Sequence, residues 1–232
     1  SRQGCIDLKS TPVLAGSAFN DKGVQSAMHA VIDYLPAPSE VPDAIGIDPD
    51  TMEPKARPMK ANESLGALVF KTISDPNGDL TFMRIYSGTI CQGEKYYNTR
   101  RRREERVGRL VRMHANQREA VDSAKAGEII AVVGFRDAIT GDTICEKSDP
   151  ISYESMIFPE TVISMSIEPK KSADRDKLSA VIAKLVREDP TFKAHTEEQT
   201  GQVVISGMGE LHLEVICNRI SSEFKIDVNV GK

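Results

Sequence analysis

Val203-Val-Ile-Ser-Gly-Met-Gly-Glu-Leu-His-Leu-Glu214 is the stretch on which the fold turns. Val203, Val204 and Ile205 are β-branched and read as a strand. Gly207 and Gly209 follow, and glycine permits a sharp strand-to-helix turn with close backbone approach. Beyond them Leu213, Ile216 and Ile220 recur at helical spacing, with Phe224 after, which predicts a helix over 209–222. The unpaired N–H groups of such a helix start suit an anion. The glycines match neither GxxxxGK[ST] nor GxGxxG, however, and a packing turn explains them as well.

Working outward, residues 162–167 read as a strand, and Ser172 is placed to cap a helix carrying Leu178, Val181, Ile182, Leu185 and Val186. Asp189-Pro190 stops that helix. Strands over 191–196 and 202–206 flank Thr200-Gly201, and a last strand runs over 225–230. The order β-α-β-β-α-β is a split βαβ sandwich, with both helices on one face of a four-stranded antiparallel sheet.

Upstream the rhythm changes. Residues 65–73, 80–90, 95–99, 106–114, 128–133 and 142–145 are short β-rich runs. Turn signals separate them at Asp75-Pro-Asn-Gly78, Gln92-Gly93, Ala126-Gly127 and Thr140-Gly-Asp142. Such spacing predicts a closed antiparallel barrel. Before it, residues 37–63 are polar and rich in Pro, Asp and Glu, which suits a linker or an extended cover strand. The first residues are different again. Thr11-Pro-Val-Leu-Ala15 reads as the end of a buried strand and Gly16-Ser-Ala-Phe-Asn-Asp-Lys-Gly23 as a loop. A helix follows with Val24, Ala27, Met28, Val31, Ile32 and Leu35 on one face, stopped by Pro36-Ala-Pro38. One strand and one helix cannot enclose a core, so they belong to a larger domain. The expected division is 1–36, 37–63 as linker and cover, 64–157 as barrel and 158–232 as sandwich.

Composition excludes several classes. Of 232 residues, 40% are apolar and 28% charged, with no apolar run near the ~18 residues of a membrane helix. Cys5, Cys91, Cys145 and Cys217 lie far apart with no CxxC, which suits a reducing compartment and neither a zinc site nor a disulfide framework. The expected location is cytoplasmic, with a mitochondrial matrix or plastid left open. His29, His114, His195 and His212 fall in separate elements, so no metal site or Cys-His nucleophile is expected. His212 is expected to make a surface link with Glu210 or Glu214, and the acid pairs Glu188-Asp189 and Glu197-Glu198 are expected to be solvated.

The net charge of −4 conceals a segregation. Arg100, Arg101, Arg102, Arg103, Arg106, Arg109, Arg112 and Arg118 face only Glu104 and Glu105 in that stretch, a local excess of six that leaves about −10 on the rest. Either a solvated hairpin or a polyanion-binding face would carry such a run. With no Trp and few aromatics, a stacking platform for single strands is disfavoured, and phosphate contacts on folded RNA fit better.

Taken as strings, these segments resemble elongation factor G and its relatives among the translational GTPases. Ser206-Gly-Met-Gly-Glu-Leu-His-Leu-Glu214, Ile167-Glu-Pro-Lys170, Lys177-Leu178 and Glu188-Asp-Pro-Thr-Phe192 resemble its third domain. Leu80-Thr-Phe-Met-Arg-Ile-Tyr-Ser-Gly88, Arg109-Leu-Val-Arg-Met-His-Ala-Asn116 and Thr140-Gly-Asp-Thr143 resemble its barrel, domain II. Gly16-Ser-Ala-Phe19 is similar to the last guanine-nucleotide motif, in which backbone N–H groups bind the base's exocyclic oxygen. The resemblance covers nearly the whole chain. It implies a middle fragment: the last strand and helix of a P-loop GTPase domain, then domains II and III.

It further implies a parent that binds GTP with Mg²⁺ and moves tRNA and mRNA through the ribosome. The small-subunit rRNA and protein, and the remaining domains of the parent, would be the partners of a monomer, with no membrane involved. Ser17, Ala18 and Phe19 would be a guanine-contact remnant. Arg100, Arg101, Arg102, Arg103, Arg106, Arg109 and Arg112 are the RNA-binding candidates, of which alternate members of a strand would face the RNA. The third domain would border the pocket of fusidic-acid-type antibiotics. No GxxxxGK[ST] and no Asn-Lys-x-Asp occurs, so the fragment is expected neither to hydrolyse GTP nor to hold it tightly. One departure stands out. Where the family commonly has a basic residue before Leu-Thr, this chain has Asp79 in a shortened loop. That leaves open a paralogue acting in ribosome recycling; a ribosome-protection GTPase and a non-enzymatic RNA- or ribosome-binding module are the further alternatives.

Overall fold

In the computed structural model, residues 2–73, 78–115, 117–153, 158–198 and 200–231 are described. The chain forms two compact units, residues 1–43 and 44–232.

The first unit has a short helix α1 (Arg2–Ile6), a 3₁₀ turn (Ala18–Asn20) and helix α2 (Val24–Tyr34). Pro36 restricts the residue before it, and Leu35 is accordingly extended (ψ 143°), which ends α2. Arg2 and Glu40 form an ion pair at 2.6 Å. The strand expected over residues 11–15 is not formed. A strand is stable only when its N–H and C=O groups find a ladder; among the described residues these find none, and Val13 stands in solvent. The apolar stripe of α2, from Val24 to Leu35, is likewise exposed, and no residue of 2–43 is buried.

The second unit opens with a hairpin, β1 (Ala44–Ile47) and β2 (Pro54–Arg57), where linker or cover was expected. The Asp48 carboxylate accepts the Asp50 and Thr51 amides at 2.9 and 3.1 Å and so closes the turn. The hairpin is then fastened to the barrel. Ile47 bridges to Ser152, and Lys55 and Arg57 both pair with Asp149. Partial burial alone would raise the Asp149 carboxyl, but Arg57 and Lys55 overcome it and hold the group well below the usual carboxylate range. A depressed carboxylate stabilises fully above its unfolded pKa of about 4 and loses that contribution as pH falls through the folded value. Melting temperatures of the parent and Asp149→Asn should therefore differ at neutral pH and converge in strong acid; a constant gap would refute the anchor.

The barrel strands are β3 (Gly66–Ile73), β4 (Leu80–Ser87), β5 (Thr89–Cys91), β6 (Lys95–Asn98), β7 (Arg103–Arg106), β8 (Arg109–His114), β9 (Gln117–Val121), β10 (Ser123–Lys125), β11 (Ile129–Val133) and β12 (Thr143–Cys145). Eight of them form one antiparallel sheet in the order β7-β6-β12-β3-β4-β11-β8-β9, and β5 pairs with β10 beside it. The sheet curls around Leu65, Val69, Met83, Ile85, Ile90, Leu110, Ile130 and Ile144. The expected run 80–90 is two strands, because Gly88 (φ +75°) passes against the Leu65 backbone, where a Cβ would lie 2.6 Å away. The run 106–114 likewise divides at Val107-Gly108 into β7 and β8, and β9 and β10 are strands beyond those expected. The turn expected at Asp75-Pro-Asn-Gly78 lies outside the described residues, except for Gly78.

The sandwich follows as β13 (Ile163–Pro169), α3 (Arg175–Glu188), β14 (Lys193–Thr196), β15 (Val203–Gly207), α4 (Glu210–Ser222) and β16 (Val228–Gly231). Its sheet order, β14-β15-β13-β16, is antiparallel throughout, as the β-α-β-β-α-β pattern requires. Leu178, Val181, Ile182 and Leu185 of α3 and Leu213, Ile216 and Ile220 of α4 are buried with Phe192 and Ile205. Ser172 does not cap the helix. It begins a 3₁₀ turn (Ser172–Asp174), and α3 starts at Arg175 with no side-chain cap.

Candidate nucleic-acid interface

The arginine-rich stretch occupies the tight connection between β6 and β7, then β7 itself, then β8. Its anchor is an acid from elsewhere in the barrel. Asp142 is fully buried. Its Oδ2 accepts the Asn98 side-chain N–H at 2.9 Å and the Ile139 amide at 3.1 Å. The same Asn98 amide reaches the buried Glu105 at 3.3 Å, and Glu105 Oε2 accepts the Arg136 and Asp137 amides at 2.8 and 3.1 Å. Two carboxylates are thus held in the barrel wall by fixed donors, as burial of charge demands.

The arginines sort by their distance from this network. Arg100 lies 3.5 Å and Arg101 4.0 Å from Asp142, and the Arg101 amide donates to Asn98 Oδ1. Both therefore face inward electrostatically and partly neutralise a buried charge. Arg103 pairs with Asp137 at 2.9 Å. Arg112, half-buried, pairs with Glu128 at 2.9 Å and Glu119 at 3.6 Å. Arg102, in the left-handed region at φ 51°, is exposed and 3.9 Å from an equally exposed Asp50. Arg106 spends its Nε–H on the Gly93 carbonyl. Arg109 is exposed and has no ion-pair partner among the described residues. Arg102, Arg106 and Arg109 are the members whose charge is least committed.

Arg106 shares its face with Lys95, directly opposite in the β6–β7 ladder. With Arg103, Arg136, Glu104, Glu105 and Asp137 they line a recess of about 440 Å³. Two glycines shape it. A Cβ on Gly108 would sit 2.5 Å from the Val133 carbonyl, and Gly134 (φ +115°) packs against Gly108. Only this backbone-on-backbone contact lets residues 134–137 approach β7 closely enough to deliver the amides that Glu105 accepts.

The glycine turn before α4 is organised by a histidine. His212 Nδ1 accepts the Met208 amide at 3.1 Å, which leaves Nε2–H to donate to Asp189 Oδ2 at 2.9 Å. The expected link to Glu210 or Glu214 is replaced by this bond across to the end of α3. A Cβ on Gly207 would fall 2.8 Å from His212 Nδ1 and from Leu213, so the glycine is required by side-chain approach. Glu188 and Asp189 are not solvated acids either. The Glu188 side chain is 9% exposed and pairs with Arg219 at 3.0 Å. Sequence spacing misses both contacts because each joins different elements.

In the first unit, Ser17, Ala18 and Phe19 form a tight loop. The Ser17 and Lys22 amides and carbonyls exchange hydrogen bonds, and Asn20 Nδ2 donates to Ser17 Oγ at 2.9 Å. Phe19 is 98% exposed. Among the described residues no group of His, Cys, Asp and Glu is arranged to hold a metal ion. All four cysteines are free, and burial pushes the Cys145 thiol up to about 11, which keeps it protonated and inert. No helix among the described residues is long and apolar enough to cross a membrane.

Two family models match this architecture. Residues 78–145 match elongation factor Tu domain 2, and residues 158–232 match elongation factor G, domain III. The chain is elongation factor G-like. A crystal structure of a protein from Thermus thermophilus has the same fold, with a TM-score of 0.72 at 23% identity. The match covers 95% of this elongation factor G-like chain and 31% of that one, so the chain spans about a third of the length of the protein it resembles. The two matched models cover the barrel from β4 to β12 and the sandwich.

Proposed function

We propose that these residues are the middle of a translational GTPase of the elongation factor G type, which promotes movement of tRNA and mRNA on the ribosome. In this reading the barrel docks on small-subunit rRNA and the sandwich relays nucleotide state as a change of domain orientation. The observation that carries it is the order of domains: a barrel of the elongation factor Tu type followed directly by an elongation factor G domain III. GTP with Mg²⁺ would be bound by the parent, with Ser17, Ala18 and Phe19 contributing guanine contacts. No GxxxxGK[ST] lies within the 232 residues, so hydrolysis is not among the activities proposed for them. Asp79, acidic where the resembled pattern is basic, supports a second reading in which the parent is a recycling paralogue.

Docking is tested by sedimentation with small ribosomal subunits at ~50 and ~200 mM salt, since phosphate contacts weaken steeply with salt. The informative variant is Arg102→Glu/Arg106→Glu/Arg109→Glu, because reversing Arg100 or Arg101 would also disturb the buried Asp142. The unsubstituted 232-residue chain should pellet at low salt and be released at high salt, and the triple variant should stay in the supernatant. Equal pelleting of both would remove these arginines from the interface.

A further inference from the structure

Three consecutive residues at the end of α3 reach in three directions, and the first of them leaves the sandwich altogether. Arg187 Nη1 lies 2.9 Å from Asp79 Oδ2, at the start of β4. Its Nη2–H donates to the Arg136 carbonyl, just after β11, at 3.1 Å. Its own carbonyl accepts the hydroxyl of Thr72, in β3, at 2.9 Å, and Thr72 is buried. One residue of the sandwich therefore holds three separate segments of the barrel. The next two hold α4: Glu188 through Arg219, and Asp189 through His212 at the glycine turn.

We propose that Arg187 is an interdomain latch that fixes the orientation of the sandwich on the barrel and can be released without unfolding either. Three properties support it. The guanidinium is a planar fork, so its two bonds fix direction as well as distance. The ion pair is only half-buried, with side-chain exposures of 40% and 29%, and pairs of this kind contribute little to global stability. Their loss changes an orientation more readily than a fold. Finally, Arg187-Glu188-Asp189 is continuous, so a displacement of Arg187 moves the partners of Arg219 and His212 with it. The latch uses only contacts within residues 44–232 and does not depend on the ribosomal reading above.

The test measures backbone residual dipolar couplings of the whole chain in a weakly aligning medium. In the parent, barrel and sandwich should fit a single alignment tensor. In Asp79→Lys the sandwich tensor should shrink at least about twofold relative to the barrel's as latched and released populations mix. Arg187→Gln, which removes the charge from the other side, should do the same. The exchange Asp79→Lys/Arg187→Glu should recover at least half of the loss. Amide shifts within the Leu110 and Phe192 cores should stay unchanged throughout, which separates release from unfolding. A single undiminished tensor in Asp79→Lys, or loosening by only one of the two single variants, would overturn the latch.

Discussion

Asp142→Ala should destabilise the barrel by about 3–5 kcal/mol, the range found when one partner of a buried, hydrogen-bonded charge network is removed. The reason is what the substitution strands. The Asn98 amide loses the closer of its two acceptors, at 2.9 Å, and the Ile139 N–H loses its acceptor at 3.1 Å, inside a wall that admits no water to the carboxylate. An unsatisfied buried donor costs about 1–3 kcal/mol on its own. Arg100 and Arg101 simultaneously lose the charge they lean on. Asp142→Asn keeps an acceptor oxygen and should fall between the two. Urea unfolding of the three proteins checks the order; an Asp142→Ala loss below about 1 kcal/mol would mean the network is not a structural anchor.

Phe192→Ala is the second large effect. Phe192 is 1% exposed and is among the largest fully buried side chains. It sits where α3 has ended and β14 begins, packed among Leu178, Leu185, Ile205 and Leu213. Truncating a buried Phe removes its transfer free energy and leaves a cavity, together about 3–5 kcal/mol. For a chain of this size that corresponds to a melting temperature lower by roughly 6–20 °C. The ring also meets His212 edge-on, with centroids 6.4 Å apart and planes at 70°. The His212 ring signals should therefore shift along with the loss of stability. A variant that melts within about 2 °C of the parent would show that the sandwich core closes over the gap.

The fold was legible wherever a periodic pattern met a glycine or proline. Both sandwich helices, the four-stranded sheet and the principal barrel strands are written in that way, and Pro36 stops α2 where expected. The strands without a periodic signal, β7, β9 and β10, are polar: Arg103–Arg106 is all charged, and Gln117–Val121 shows almost no buried side chain. They are held by ladders to β6, β8 and β5, and a ladder leaves no trace in a single strand's composition. The strand read in residues 11–15 failed for the converse reason. Its composition is right, but no ladder is present among the described residues.

The candidate interface was legible as a count and not as a geometry. Eight arginines announce a basic segment, yet nothing near them in sequence announces Asp142, Asp137 or Glu128, which lie up to some forty residues away and take up part of that charge. His212 shows the same limit. Its neighbours on α4, Glu210 and Glu214, are obvious partners by spacing, whereas Asp189 becomes a partner only when β15 brings α4 back beside the end of α3.

Residues 2–43 contain helices and hydrogen bonds but bury no side chain. The heat capacity of unfolding and the dependence of stability on denaturant both scale with surface that becomes exposed. That segment, in which only a few residues such as Ile6, Ala30 and Tyr34 are even partly covered, has less to expose per residue than the barrel and sandwich. Calorimetry of the whole chain will thus report chiefly residues 44–232. Specific enthalpies divided by the full 232 residues will look anomalously low for a protein whose barrel and sandwich are packed in the ordinary way.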